Sequence, residues 1–510
     1  MRNAPALRRL AIRVVLLTAA VAALAMGSED QVAKERTIAR EEAWEAVYIG
    51  GQKAGYIHSV IRPVEMDGQT LIEVSSDSTL RMKRFGQEIE MEIRTRSVED
   101  LDGKLREVES VIKTSNIEAM RLVGRVKGDV IEVTRHTFGA AQKQELPWDH
   151  RVLGPYAQDH LLQEQQPLEP GQRVEFYTFD PSTGAVTRNV VVGGEVEEVQ
   201  LLDRTARLRH LKMEMYLPGS QKPFVVTDLF VNEDGEPLKT HTPMLGGMTT
   251  YRVDKETALA EPEKLNDIAI RTLIPVEGHL ERPFDTAKVV YRVHLREGVD
   301  PKDVAIVDDA RQNVKIESER TILLTVRAEP PADFKEPEPG ERFRKPHSLI
   351  QSDNPKIQQY ARQAIGDEKD VLGQLRRLER WVYENMKDKN YGVGFASAGA
   401  VADSLSGDCT EHAVLLAAMA RAAGYPSRVA VGFVYAPSVG QYGGHMWTEV
   451  YAQGCWRSLD GTLGLGRFDA VHIKLADSGL DGADALVSLL PIAKTIDQIE
   501  KVEIVEVEYR

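Results

Sequence analysis

The 510-residue chain has two cysteines, Cys409 and Cys455, and the first is set where a thiol can do chemistry. In Ser406-Gly407-Asp408-Cys409-Thr410-Glu411, Asp408 is a suitable helix N-cap and Glu411 completes a capping box, so Cys409 should be the first residue of a helix. That helix runs through Val414, Leu415, Ala418, Met419 and Ala422 and should stop at Gly424, with Pro426 beyond. A thiol at a helix start faces unpaired backbone N–H groups and the positive end of the helix dipole, which favour thiolate over thiol, and the same N–H groups suit an oxyanion. The plain alternative is a buried structural cysteine. Two further elements tell against it. In Gly443-Gly444-His445-Met446-Trp447-Thr448-Glu449-Val450-Tyr451, the residues His445, Trp447, Glu449 and Tyr451 alternate along one face of a strand that His445 opens. After a turn at Ala452-Gln453-Gly454, the run Cys455 to Thr462 reads as the next antiparallel strand, bringing Asp460 within reach of His445. Cysteine, histidine and aspartate so placed meet the need for nucleophile, base and orienting group.

These motifs closely resemble the bacterial transglutaminase-like superfamily, whose papain-related fold carries the nucleophilic cysteine at a helix start and the histidine and aspartate on adjacent strands. The matching residues are Gly407-Asp408-Cys409, Arg421 with Gly424-Tyr425-Pro426-Ser427-Arg428, the strand from His445 to Tyr451, and Trp456 with Leu459-Asp460. The resemblance covers only the C-terminal third, and Asp460-Gly461-Thr462 stands where members often have Asp-Pro-Thr. It implies that Cys409 attacks a glutamine-type carboxamide or a peptide amide to give a thioester, with His445 as general base and then acid and Asp460 fixing its tautomer. Water or an amine would resolve the acyl-enzyme, and peptidase activity is the slightly preferred outcome. The Cys409 N–H plus an upstream donor, Tyr391 or a backbone N–H near Phe395, would form the oxyanion hole, with Trp447 in support. No cofactor or metal is expected. A different class of function is a catalytically silent transglutaminase-like module for binding or assembly at the cell envelope.

Other residues could compete. His412, three residues after Cys409 on the same helical face, is a rival base, although that spacing more often belongs to a structural histidine. Glu449 should pair with Arg428 or Arg457. Cys455 should point away from Cys409, making a disulfide between them unfavourable. Asp477, Asp481 and Asp484 lack the spacing of a calcium loop and read as a solvated turn, and His472 reads as a strand residue. The glycine-rich stretch from Pro437 to Gly444 is either a gate for substrate or a hairpin connection.

The elements that must position these residues fall into a multidomain order. Arg2, Arg8, Arg9 and Arg13, the apolar run Val14 to Ala25 and the small-x-small Ala23-Leu24-Ala25 read as a signal peptide over 1–25, placing the mature protein in the periplasm or outside the cell, with an uncleaved anchor as the alternative. Residues 40–255 show alternating strand patterns broken by turns such as Gly50-Gly51, Asp67-Gly68 and Asp102-Gly103, an antiparallel β region. Its Gln-rich stretch from Ala141 to Pro170 reads as a connection with one short helix. Residues 268–330 suggest a small sandwich-like β module, 331–349 a proline-rich linker, and 350–510 a mixed α and β catalytic domain. Lys and Arg total 64 against 78 Asp and Glu, and without the four N-terminal arginines 60 against 78 leaves −18. Such a surface repels phosphate backbones, so the partner expected is a protein or peptide with glutamine or amide groups rather than nucleic acid. No stretch in the mature chain is long and apolar enough to span a bilayer.

Overall fold

The computed structural model describes residues 40–510 apart from 85, 116, 138–139, 182–183, 245, 269–271, 391–395 and 482–489. The signal segment and Tyr391, Phe395 and Asp484 therefore lie outside the described residues. Two compact units result. Among the described residues the first holds 40–82 with Glu90–Pro243 and Gly247–Asn266, and the second holds Lys83–Ile89, Met244–Gly246 and Asp267–Arg510.

The N-terminal region is one fourteen-stranded antiparallel sheet between Glu41 and Val253. Consecutive strands pair with each other except Ala140–Pro147 and Arg173–Asp180, which are the two edges, and the first strand, Glu41–Ile49, also pairs with the last, Met248–Val253, through Trp44↔Val253 to Ile49↔Met248. Val174, Phe176, Val191, Leu211 and Leu229 bury one face, while intervening positions stay partly exposed, as a sheet covered on one side requires. Ala140–Pro147, expected as connection, is a strand paired with Val130–Thr137, and Pro155–Glu164 is the short helix. The polar Gln-Lys-Gln-Glu run hid the strand because its side chains face solvent at the sheet edge.

The second unit corrects two expectations. Strands 274–277, 286–295, 312–318 and 321–327 do not close a module of their own. They join a nine-stranded sheet with 427–436, 441–452, 455–459, 472–478 and 499–509. The C-terminal strand Ile499–Tyr509 runs antiparallel beside Thr286–Leu295 and parallel to Ile274–Glu277, a pairing across some 200 residues that local periodicity cannot reveal. The proline-rich segment, expected as an extended linker, is pinned to this unit. Glu336 donates its N–H to Gly454 O at 2.8 Å, accepts at its backbone O from the Tyr451 hydroxyl at 2.7 Å, and takes the Trp456 N–H on Oε2 at 2.8 Å.

Four helices cover the sheet where the site forms: Pro355–Ile365, Val371–Asn385, Ala398–Ser404 and Cys409–Ala422. The last is buried continuously from Thr410 to Arg421, a helix apolar nearly all round because neighbours cover every face. It is tied to the sheet by the Thr448 hydroxyl on Ala413 O at 2.9 Å and the Ser427 hydroxyl on Ala417 O at 2.7 Å.

Candidate active site

The helix start is built as the sequence requires. Asp408 accepts the Thr410 N–H on Oδ1 at 2.8 Å, and Glu411 reaches back to take the Asp408 N–H at 3.0 Å, a complete capping box contributing on the order of 1 kcal/mol. Gly407 has φ +146, and a Cβ there would lie 2.4 Å from Glu411 Cβ, so only glycine lets the chain turn into this cap. The second carboxylate oxygen of Glu411 takes the Ala396 N–H at 3.0 Å. Burial and the neighbouring Asp408 push Glu411 up to about 8.

Cys409 opens this helix and is partly exposed, whereas Cys455 is buried, and both are free thiols. His445 lies within the strand Gln441–Ala452, opposite Gly432, rather than opening it. Its Nε2 lies 2.8 Å from Asp460 Oδ2, and the ring is near enough to Cys409 for the two to interact electrostatically. Asp460 is one residue past the end of Cys455–Leu459, in a turn where Oδ1 accepts the N–H groups of Thr462 at 2.8 Å and Leu463 at 3.3 Å. Cys409, His445 and Asp460 thus come together. Burial alone would depress the His445 imidazolium, yet the Asp460 carboxylate and Cys409 hold it well above its ordinary value. Asp460 is in turn held well below the carboxylate range, burial being outweighed by His445 and His472. A raised imidazole braced by a depressed carboxylate is the pairing that a general base and its orienting group require.

The remaining expectations resolve individually. His412 is buried with Nδ1 2.6 Å from Asp408 O and Nε2 3.2 Å from Met386 O, both backbone carbonyls, and burial lowers its pKa, so it braces the helix start. Trp447 is buried, its ring 6.3 Å from that of His445 and 6.0 Å from Phe468. Glu449 pairs with Arg428 at 2.7 Å, and Arg457 pairs instead with Glu329. Only residues 437–440 connect the strands ending at Ala436 and starting at Gln441, while Gly443 and Gly444 are paired within the second strand, so the supposed gate is a tight hairpin. Asp477 and Asp481 are in ion pairs with Arg428 and Arg342.

Several residues escaped sequence reasoning. Lys474, 1% exposed, sits 2.9 Å from Glu449 and from Asp477, and with Arg428 it overcomes burial to bring Glu449 down to about 2. His472, fully buried, lies 3.2 Å from Asp460 Oδ2 and 2.7 Å from Asp469 Oδ1. Glu379 takes the Asp460 N–H on Oε1 at 2.9 Å, while its Oε2 is buried with no hydrogen-bond partner among the described residues. Burial pushes Glu379 up to about 8, helped by the nearby Asp460 charge, so it is a neutral acid at pH 7. The signal for Glu379 was present: it lies four residues after Leu375 and one after Leu378 on an apolar helix face. His445, Asp460 and His472 also place three potential metal ligands within 4.8 Å, but their mutual hydrogen bonds already account for the grouping.

Glu379 gives a prediction on stability. Its folded value is raised, so its favourable contribution is complete below the unfolded carboxyl value of about 4.3 and is lost as pH rises through about 8. Glu379→Gln should therefore raise the unfolding free energy at pH 8.5 relative to pH 5 by up to a few kcal/mol, since each tenfold difference in proton affinity between the folded and unfolded chain is worth about 1.36 kcal/mol. Glu411 titrates in the same window, so the readout is the pH slope of variant against wild type in thermal melts. Identical slopes would contradict the assignment.

Residues 358–461 match the model of the transglutaminase-like superfamily, a span containing all three residues of the cluster. This part of the chain is a transglutaminase-like domain. Among solved structures, a β-barrel-like protein of a domain of unknown function from Brucella abortus is 13% identical, covering 42% of this chain and 95% of its own, at a TM-score of 0.32. A candidate cysteine protease from Cytophaga hutchinsonii is 17% identical, covering 44% and 86%, at 0.26. The periplasmic domain of TgpA from Pseudomonas aeruginosa, bound to ethylmercury, is 13% identical, covering 35% and 91%, at 0.24. No curated protein matches the chain. No helix among the described residues is long and apolar enough to cross a membrane.

Proposed function

We propose that this protein is a periplasmic or secreted cysteine-dependent acyl-transfer enzyme acting on protein or peptide amides, with hydrolysis the preferred outcome. The observation that carries the reading is the partly exposed Cys409 at a capped helix start, beside a buried His445 that is itself paired with Asp460. In this mechanism the Cys409 thiolate attacks the amide carbonyl carbon, and the oxyanion draws on the Cys409 N–H at the helix start. Collapse breaks the C–N bond as the His445 imidazolium gives its proton to the leaving nitrogen, leaving a thioester and neutral imidazole. That imidazole then takes a proton from water, whose oxygen attacks the thioester, and the acid leaves as the thiol is regenerated. An amine in place of water gives a new amide. The periplasmic or secreted setting rests on the basic and apolar N-terminal segment.

The test incubates the protein with casein and with a glutamine-containing peptide, with and without a fluorescent primary amine, following new amino termini, ammonia release and amine incorporation. Cleavage without incorporation is expected. Products no greater than those of Cys409→Ala would overturn the enzyme reading in favour of a binding module.

A further inference from the structure

Behind the Cys409–His445–Asp460 cluster the polar chain continues. Asp460 Oδ2 is shared between His445 Nε2 at 2.8 Å and His472 Nε2 at 3.2 Å, and His472 Nδ1 lies 2.7 Å from Asp469 Oδ1. His472 has no exposed side-chain surface, and Asp469 has none either. The ring is wedged against Phe468, at 4.3 Å between centroids, and edge-on to Trp447 at 5.3 Å, so it has no alternative rotamer pointing to water. An ionised carboxylate offers only acceptors, and an imidazole between two of them makes both hydrogen bonds only when both nitrogens carry protons. Flanked by a carboxyl group on each side, His472 meets both Asp460 and Asp469 best as an imidazolium.

Resting on the acyl-transfer reading above, we propose that His472 is a positioning residue of this site: clamped on Asp469, it fixes Asp460 against His445 and so sustains the thiolate of Cys409. Asp460 has two other acidic side chains close by, of which Glu379 is a neutral acid at pH 7. Glu379 reaches its N–H, and Asp469 stands on the far side of His472. Without a cation here, adjacent carboxylates would compete for protons, and a protonated Asp460 could no longer hold the His445 imidazolium. Arg311, buried and donating to Asp469 O at 2.9 Å, adds a second positive charge on the same side. Consistently, although burial disfavours its charge, Asp469 and Asp460 raise His472 above its ordinary value. Within hydrogen-bond or ring contact, the titratable groups facing His472 are Asp460, Asp469 and His445, with Glu379 and Arg311 next to them.

The experiment uses the full chain and measures iodoacetamide alkylation of Cys409 from pH 5 to 9.5, with thermal melts, for wild type, His472→Phe, His472→Gln and Asp469→Asn. Wild type should react at pH 6 nearly as fast as at pH 9. His472→Phe should lose about tenfold or more at pH 6 while staying within about twofold at pH 9, because the reactive population shifts towards that of an ordinary thiol. His472→Gln keeps one N–H for Asp460 and should recover part of the loss. Asp469→Asn, which touches none of the three cluster residues, should move the profile the same way and carries the test should His472→Phe fail to fold. A merely structural role would lower the melting midpoint and scale all rates equally. A pH 6 to pH 9 ratio in these variants equal to that of reactive wild type would overturn the proposal alone. Slow reaction of wild type at pH 6 would overturn the acyl-transfer reading, and this proposal with it.

Discussion

Cys409→Ala is expected to lose amide cleavage by at least about 10^4-fold while melting as wild type does, because removing the nucleophile of a cooperating triad removes the covalent route altogether. The loss falls in turnover rather than in folding. Cys409 is only partly covered at the start of its helix, and the cap that secures the helix belongs to Asp408 and Glu411, which the substitution leaves alone. Truncating one sulfur at such a position should change stability by roughly 0.5 kcal/mol or less. Cys409→Ser should be equally inactive, since a hydroxyl in this place does not ionise near neutral pH. The check is product formation and a melting curve on the same preparation. Activity in Cys409→Ala within tenfold of wild type would contradict a thioester mechanism.

Asp460→Asn should lower kcat/KM by roughly 10^2 to 10^4, with the larger effect in kcat. The amide is nearly isosteric, so Oδ1 can still meet the Thr462 and Leu463 N–H groups. The other end then presents an N–H group to two histidine nitrogens that themselves donate. His445 loses the charge that keeps it an imidazolium, and the wrong tautomer becomes favoured. Stability should fall as well, by about 3 to 5 kcal/mol, because two buried imidazolium rings lose their shared counter-ion. The pH dependence has a definite sign. The depressed Asp460 contributes stability that is present above its unfolded value of about 3.9 and lost as pH falls through its lower folded value. The raised His445 contributes stability present below about 6.5 and lost as pH rises through its higher folded value. Asp460→Asn should therefore be most destabilised relative to wild type between roughly pH 4 and 6.5, where both contributions act. Melts across that range check it, and a uniform destabilisation at every pH would contradict the assignment.

What the sequence disclosed was local. The Asp408 and Glu411 box, the Gly424 stop and the alternation around His445 are short-range signals, and each describes an element the chain forms. The fold around them was less legible because its key pairings are long-range: Ile499–Tyr509 lies beside Thr286–Leu295, and Glu336 is buttoned to Tyr451 and Trp456. A proline-rich, charged composition predicts solvation, and only the tertiary partners convert it into an ordered strap. His472 and Lys474 read as ordinary strand residues for the same reason. Their neighbours Asp469, Asp460 and Glu449 meet them through a turn and across the sheet, so neither spacing nor period marks them out. Glu379 is the instructive case, since one acid on an apolar helix face is a sequence signal that the structure turns into a buried neutral carboxyl beside Asp460.

The chemistry of this site depends above all on Cys409 being held as a reactive thiolate by His445. That dependence is read from the iodoacetamide alkylation rate of the folded protein at pH 6, followed separately at Cys409 and Cys455 by mass spectrometry. Cys455 serves as the internal reference, because it is buried and burial pushes its thiol up. Rapid modification of Cys409 at pH 6 is expected, with loss of that reactivity in His445→Ala and negligible modification of Cys455. Reaction of Cys409 at pH 6 no faster than that of a cysteine in an unstructured peptide, or reactivity indifferent to His445→Ala, would show that His445 does not activate the thiol.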